Sequence, residues 1–212
     1  MKKNRKKIKR KLIHTKSFRI IIGGLWRDNP IFCMVLGICS SLAITNRVEN
    51  AITMGLGVTF VLIFTEVIIS SLRNFIPERV RMITYMVVIA TFVIVVDRFL
   101  KAFFPVISEA LGPYVGLIIT NCILMGRAEA YAIKNKLKDS LLDSIACGLG
   151  YTYILILMSV IREFFGFGTI LGRKITSDTW TNWAAMTIAP GAFFLLAIYL
   201  WIFRTILKKT EQ

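Results

Sequence analysis

The chain has 212 residues, of which 56% are hydrophobic and only 18% charged, with a formal net charge of +15. A water-soluble domain of this length carries nearer a quarter of charged residues, so a soluble fold is excluded and one compact integral membrane domain is expected.

Of the 27 Lys and Arg residues, 11 lie between Met1 and Arg27. Residues 1–28 read as a basic cytoplasmic tail that sets topology and meets anionic lipid. Nucleic acid is not the expected partner, because the aromatic interleaving of a base-stacking surface is missing. The tail lacks an apolar stretch followed by small residues, so no cleavable signal peptide is expected. His14 reads as a solvated tail residue. A membrane domain is expected over 29–205 and a short cytoplasmic tail over 206–212.

Six apolar segments follow in chain order, near 30–46, 51–72, 80–104, 113–126, 141–161 and 183–203. The second, third, fifth and sixth are long enough to cross a ~30 Å hydrocarbon core at ~1.5 Å per residue. The first and fourth are short and marked by Pro30 and Pro113. Short, proline-marked segments at corresponding places in two halves point to broken helices around a midplane site.

The halves repeat, with an expected division near 29–105 and 112–205. Ser70-Ser71-Leu72-Arg73-Asn74-Phe75 parallels Ser159-Val160-Ile161-Arg162-Glu163-Phe164, and Gly55-Leu56-Gly57 parallels Gly148-Leu149-Gly150. Three spans per half is odd, so the halves are inverted across the membrane. With the N-terminus inside, cytoplasmic segments hold 21 Lys and Arg and outer segments 6. Both termini are therefore expected in the cytoplasm. The fold class expected is an all-α membrane protein of six transmembrane helices in two inverted three-helix repeats, the first and fourth helices short.

Pro30 precedes Cys39 by nine residues, and Pro113 precedes Cys122 by nine. Nine helical residues carry each thiol ~13 Å inward from opposite faces, to one depth near the midplane. Soft thiolates select zinc, copper(I) or iron–sulfur clusters. No His, Asp or Glu stands beside Cys39 or Cys122 to complete a zinc site, and an iron–sulfur cluster takes four cysteines, so a partner would supply two. Spacing leaves three other readings open: inert packing residues, a disulfide, or a pair copied by duplication. Cys33 and Cys147 lack counterparts and read as packing residues.

Gly166-Phe167-Gly168 through Gly172 lacks a preceding strand pattern and reads as a turn between spans rather than a phosphate loop. The sequence shows no Walker A, HExxH or nucleophile-elbow motif, so this chain alone is expected to bind no nucleotide. Asp97, Glu129 and Asp143 sit near interfaces and read as paired or anchoring residues. Glu66 lies deep in the second segment. Pairing with Arg73 and a place on an ion path are both open for it.

Leu36-Gly37-Ile38-Cys39-Ser40 and Thr120-Asn121-Cys122-Ile123-Leu124-Met125-Gly126-Arg127-Ala128-Glu129 resemble a family of membrane subunits. It comprises the paired D and E subunits of the sodium-translocating NADH:quinone oxidoreductase and their counterparts in the Rnf ferredoxin:NAD⁺ oxidoreductase. The resemblance spans about 29–204. Leu72–Pro77, Val95–Phe104, Arg162–Thr169 and Ala189–Phe194 match the D-type pattern, with the E-type Rnf subunit as the nearest alternative. The resemblance implies a bacterial inner-membrane subunit in a complex that couples NADH oxidation and quinone reduction to sodium export. It implies that Cys39 and Cys122 provide half the ligands of a [2Fe–2S] cluster shared with an inverted paralogue, the E-type subunit. Flavins would belong to the B, C and F subunits, with the A-type subunit completing the assembly, and this chain has no S-G-A-T type flavin-attachment motif. Gly37 and Asn121 are read as shaping the cluster pocket, the first by close backbone approach and the second by hydrogen bonding. A non-redox secondary transporter is the alternative from another class, since inverted repeats and broken helices suit it equally.

Overall fold

The computed structural model describes residues 31, 34–103, 105–170, 173–174 and 188–211. The basic tail, His14, Pro30 and Cys33 lie outside the described residues.

The chain is helical. Helix α1 spans Ile38–Ile44, α2 Val48–Leu72, α3 Arg81–Phe103, α4 Pro105–Ile119, α5 Cys122–Arg127, α6 Leu137–Phe167 and α7 Ala189–Glu211. A 3₁₀ turn at Glu78–Val80 leads into α3, and a π turn at Ala128–Ala132 continues α5. Two residue pairs, Thr169 with Lys174 and Ile170 with Arg173, form a small antiparallel hairpin after α6. Gly168 ends α6 in the left-handed conformation (φ 64°), as the glycine-rich stretch there suggests.

Among the described residues three helical stretches, Val48–Leu72, Glu78–Phe103 and Leu137–Phe167, are long and apolar enough to cross a membrane. A shorter apolar stretch runs from Pro190 to Thr205. The first and fourth spans are broken as expected: α1 has 7 residues and α5 has 6. Several bounds differ from the sequence reading. Helix α4 begins at Pro105, so the expected start of the second half near residue 112 falls inside a helix. Helix α6 has 31 residues rather than about twenty: it starts before and ends after the apolar segment, and its polar residues Ser140, Asp143, Ser144, Arg162 and Glu163 are buried against the protein. Helix α7 continues to Glu211, through the stretch read as a tail.

Helices α2 and α6 form the central antiparallel pair. A Cβ on Gly55 would lie 2.6 Å from Thr152 Cγ2, and one on Gly148 would lie 2.6 Å from Thr59 Cγ2. Thr59 and Thr152 meet with their hydroxyls 3.3 Å apart. In lipid, where apolar burial gives helices little reason to associate, such small-residue contacts supply the packing. Around this crossing Val58, Val61, Leu62, Tyr151, Ile154 and Leu155 are fully buried. Helix α3 instead shows Ile83, Val87, Ile94 and Phe99 to the outside, as a face against lipid or another protein does.

The repeated Arg motif has a structural meaning. Arg162 Nη1 donates to Leu42 O (3.0 Å) and Thr45 Oγ1 (2.7 Å), at the C-terminal end of α1. Its neighbour Glu163 accepts from the first amide of α2, Val48 N, at 2.8 Å. In the other half, Arg73 Nη1 and Ser70 Oγ donate to Asn135 O in the turn after α5, at 2.9 and 3.1 Å. Each half therefore satisfies the backbone groups that the opposite half's helix ends leave without partners.

Candidate metal centre

Two short helices begin side by side. The chain enters α1 through a left-handed loop with Val35 at φ 58° and Gly37 at φ 80°. A β-branched residue rarely adopts that conformation, so the loop just before Cys39 is strained. Asn121 starts α5, its Oδ1 accepting from Ile123 N at 3.2 Å. Cys39 and Cys122 therefore lie in the first turns of the two helices.

The loops are tied at sulfur. Gly37 N donates to Cys122 Sγ at 2.9 Å. Ser40 Oγ donates to Gly37 O at 3.0 Å and meets Tyr151 OH at 2.6 Å, and Asn121 Nδ2 donates to it at 3.2 Å. With the Ser40 proton on Gly37 O, Tyr151 is the donor in the second contact, and this hydroxyl fills its single donor and both acceptor places. Gly37 is required twice over: for its positive φ, and because a Cβ would lie 2.9 Å from Tyr151 Cε2. The structure thus brings Gly37, Asn121 and Cys122 together, with Cys39 two residues beyond Gly37. Ser40 and Tyr151 were missed by the sequence reading. They lie 111 residues apart, and only the adjacency of Ser40 to Cys39 hinted at either.

Cys39, Cys122 and Cys147 are free thiols. Cys39 is exposed and Cys122 half-buried. Cys147 is fully buried on α6 beside Arg127, Asp143 and Glu66, a different neighbourhood. Among the described residues, no group of three or more His, Cys, Asp or Glu side chains is placed to hold a metal ion. A metal at Cys39 and Cys122 would need ligands from elsewhere, and the exposure of Cys39 leaves that side open.

The carboxylates divide. Asp97 pairs with Lys101 at 2.7 Å, and Glu129 accepts from Tyr85 OH at 2.8 Å and lies 3.7 Å from Arg81. Asp143 receives Arg127 on both oxygens, with Nε at 2.9 Å from Oδ2 and Nη2 on Oδ1. The expected pairing of Glu66 with Arg73 does not form. Arg73 lies past the end of α2 and turns to Asn135 O, and among the described residues both oxygens of the fully buried Glu66 are without a hydrogen bond.

The family model described as "Rnf-Nqr subunit, membrane protein" matches residues 17–200. The chain belongs to this family. It is 48% identical over 198 residues to the D subunit of the Na(+)-translocating NADH-quinone reductase of Chlamydia felis, covering 89% of this chain and 93% of that one. The same-named protein of Pseudoalteromonas atlantica is 46% identical over 199 residues, covering 92% and 94%. That of Chlamydia pneumoniae is 48% identical over 188 residues, covering 84% and 88%. For the Rnf-Nqr family, the broken α1 and the break between α4 and α5 place the two cysteine turns against each other in this member. These relatives are named as subunits of a reductase, so the reading as a stand-alone carrier without redox chemistry gains no support from them.

Proposed function

We propose that this chain is a membrane electron-relay subunit of a sodium-translocating NADH:quinone oxidoreductase in the bacterial inner membrane. In this reading Cys39 and Cys122 hold one side of a [2Fe–2S] cluster, and two cysteines of the inverted paralogue, the E-type subunit, hold the other. The flavin-bearing B, C and F subunits, with the A-type subunit, complete the complex. This chain binds neither flavin nor nucleotide. Both termini face the cytoplasm, following the distribution of positive charge.

The observation that carries the reading is the Gly37 N–H directed at Cys122 Sγ. An amide proton aimed at sulfur suits a thiolate ligand, and such bonds tune cluster potential. The thiol of Cys39 is free and exposed, and among the described residues no group of three or more metal-ligating side chains forms, which suits a site completed by a neighbour. When bound, the cluster would supply one-electron oxidation and reduction at membrane depth. The chain's own part is to fix two sulfurs, to donate the Gly37 amide, and to exclude water with the Ser40–Tyr151–Asn121 latch.

The test uses the complex purified in mild detergent. Cys39→Ser is expected to abolish the paramagnetic and visible signatures of the cluster, to lower iron and sulfide by one cluster per complex, and to stop quinone reduction. Cys147→Ser is expected to keep all three. An unchanged cluster in Cys39→Ser would refute the ligand assignment. The E-type Rnf subunit is the second reading, carried by the shared cysteine motif, and reduction of the complex by ferredoxin rather than NADH would select it.

A further inference from the structure

Glu66 is a buried carboxylate that neither the cysteine site nor the helix-end contacts use. It is fully buried, and among the described residues neither of its oxygens has a hydrogen-bond partner. Its surroundings follow from the helix register. Gly55 meets Thr152 and Thr59 meets Gly148, so α2 and α6 run antiparallel in fixed alignment. Seven residues on from Thr59 is Glu66, and seven back from Gly148 is Leu141, which puts Glu66 at the level of the Ser140–Ser144 turn. Ser140 is fully buried, its hydroxyl without a partner among the described residues, and so is Thr65, next to Glu66 on α2.

The charges in this pocket do not balance. Asp143 and Arg127 are the charged groups within electrostatic reach of Glu66. They are already matched to each other, Arg127 Nε meeting Asp143 Oδ2 at 2.9 Å. An ionised Glu66 adds one negative charge that no described side chain offsets, a strongly unfavourable state within the membrane. Among the described residues the charges around Glu66 fall one positive short, and the unused acceptors there are all oxygen. Oxygen-only sites of single net charge suit a small, hard, singly charged cation rather than a soft or divalent one.

We propose that Glu66, with the hydroxyls of Ser140 and Thr65, binds one exchangeable monovalent cation, a sodium ion or a proton, near the inner end of α2. Glu66 lies six residues, ~9 Å, from the helix end at Leu72. The Arg127–Asp143 pair is the fixed charge that keeps a second cation out. The site is independent of the cluster reading, since among the described residues no hydrogen bond joins Glu66, Ser140 or Thr65 to Cys39 or Cys122.

The test uses the intact detergent-purified complex without turnover. Radioactive sodium is the first probe, and infrared detection of a deuterium-sensitive protonated carboxylic acid is the second. Glu66→Gln is expected to remove one sodium equivalent per complex if sodium is the occupant, or to abolish one carboxylic acid band if the proton is. Ser140→Ala keeps the carboxylate and serves where Glu66→Gln does not assemble. It is expected to weaken sodium binding roughly threefold to tenfold or to shift the band. Unchanged sodium stoichiometry and an unchanged infrared spectrum in Glu66→Gln would overturn the proposal, as would their constancy in Ser140→Ala.

Discussion

Gly55→Ala and Gly148→Ala make one mirrored prediction. Each added methyl lies 2.6 Å from a threonine Cγ2 and 2.8 Å from the same residue's Oγ1. Carbon atoms settle at ~3.5–4.0 Å, so the helices must part by about 1 Å. The threonines cannot simply rotate away. Thr59 Oγ1 donates to Gly55 O at 2.7 Å and Thr152 Oγ1 to Gly148 O at 2.8 Å. Overpacking at so short a contact costs about 2–3 kcal/mol, the upper part of the usual range, and alanine's better helix propensity returns about 1. The net loss is then about 1–2 kcal/mol at either site, roughly 2–8 °C in the thermal midpoint for a chain of this size. The midpoint is read by fluorescence-detected size exclusion in detergent. Thr59→Ala should relieve Gly148→Ala, and Thr152→Ala should relieve Gly55→Ala, as a double-mutant cycle measures. The crossed combinations should give no relief. Two silent glycine variants, or equal relief from matched and crossed partners, would refute the packing argument and with it the mirrored arrangement of the halves.

Arg162→Ala removes the donor to Leu42 O and Thr45 Oγ1 and is expected to lower stability by about 2–4 kcal/mol, seen as a reduced thermal midpoint that Arg162→Lys partly restores. Tyr151→Phe deletes the hydroxyl against Ser40 at a cost of about 1 kcal/mol. It is expected to leave the complex assembled while moving the cluster's midpoint potential and paramagnetic line shape, and an unchanged potential would count against the latch.

Much of the fold was legible because its signals are local. Segment length, charge asymmetry and the Pro-to-Cys spacing each act within one stretch of chain, and they were enough to anticipate broken first and fourth spans and inverted halves. The matched glycines at 55 and 148 were visible as a repeat, but their threonine partners were not, since each contact joins one half to the other. The matched arginines were equally visible, and their targets were hidden for the same reason: Arg162 reaches Leu42, 120 residues away. For Glu66, pairing with Arg73 was one of two open readings, and it rested on proximity along the helix. Arg73 had nearer carbonyl acceptors once the chain turned, so sequence distance misled. At the cysteines the residue types were readable. The amide-to-sulfur contact depends on Gly37's positive φ and on α6 passing beneath it, and neither can be read from spacing.

The exchange of helix-end contacts between the halves has a consequence for biosynthesis. Val48 N finds its carboxylate acceptor 115 residues downstream, and Leu42 O finds its guanidinium 120 residues downstream. During translation the turn between α1 and α2 must therefore wait for these partners until α6 emerges. A chain cut after α3 would lack both of these partners, so the first half is expected to be less stable alone than within the full chain.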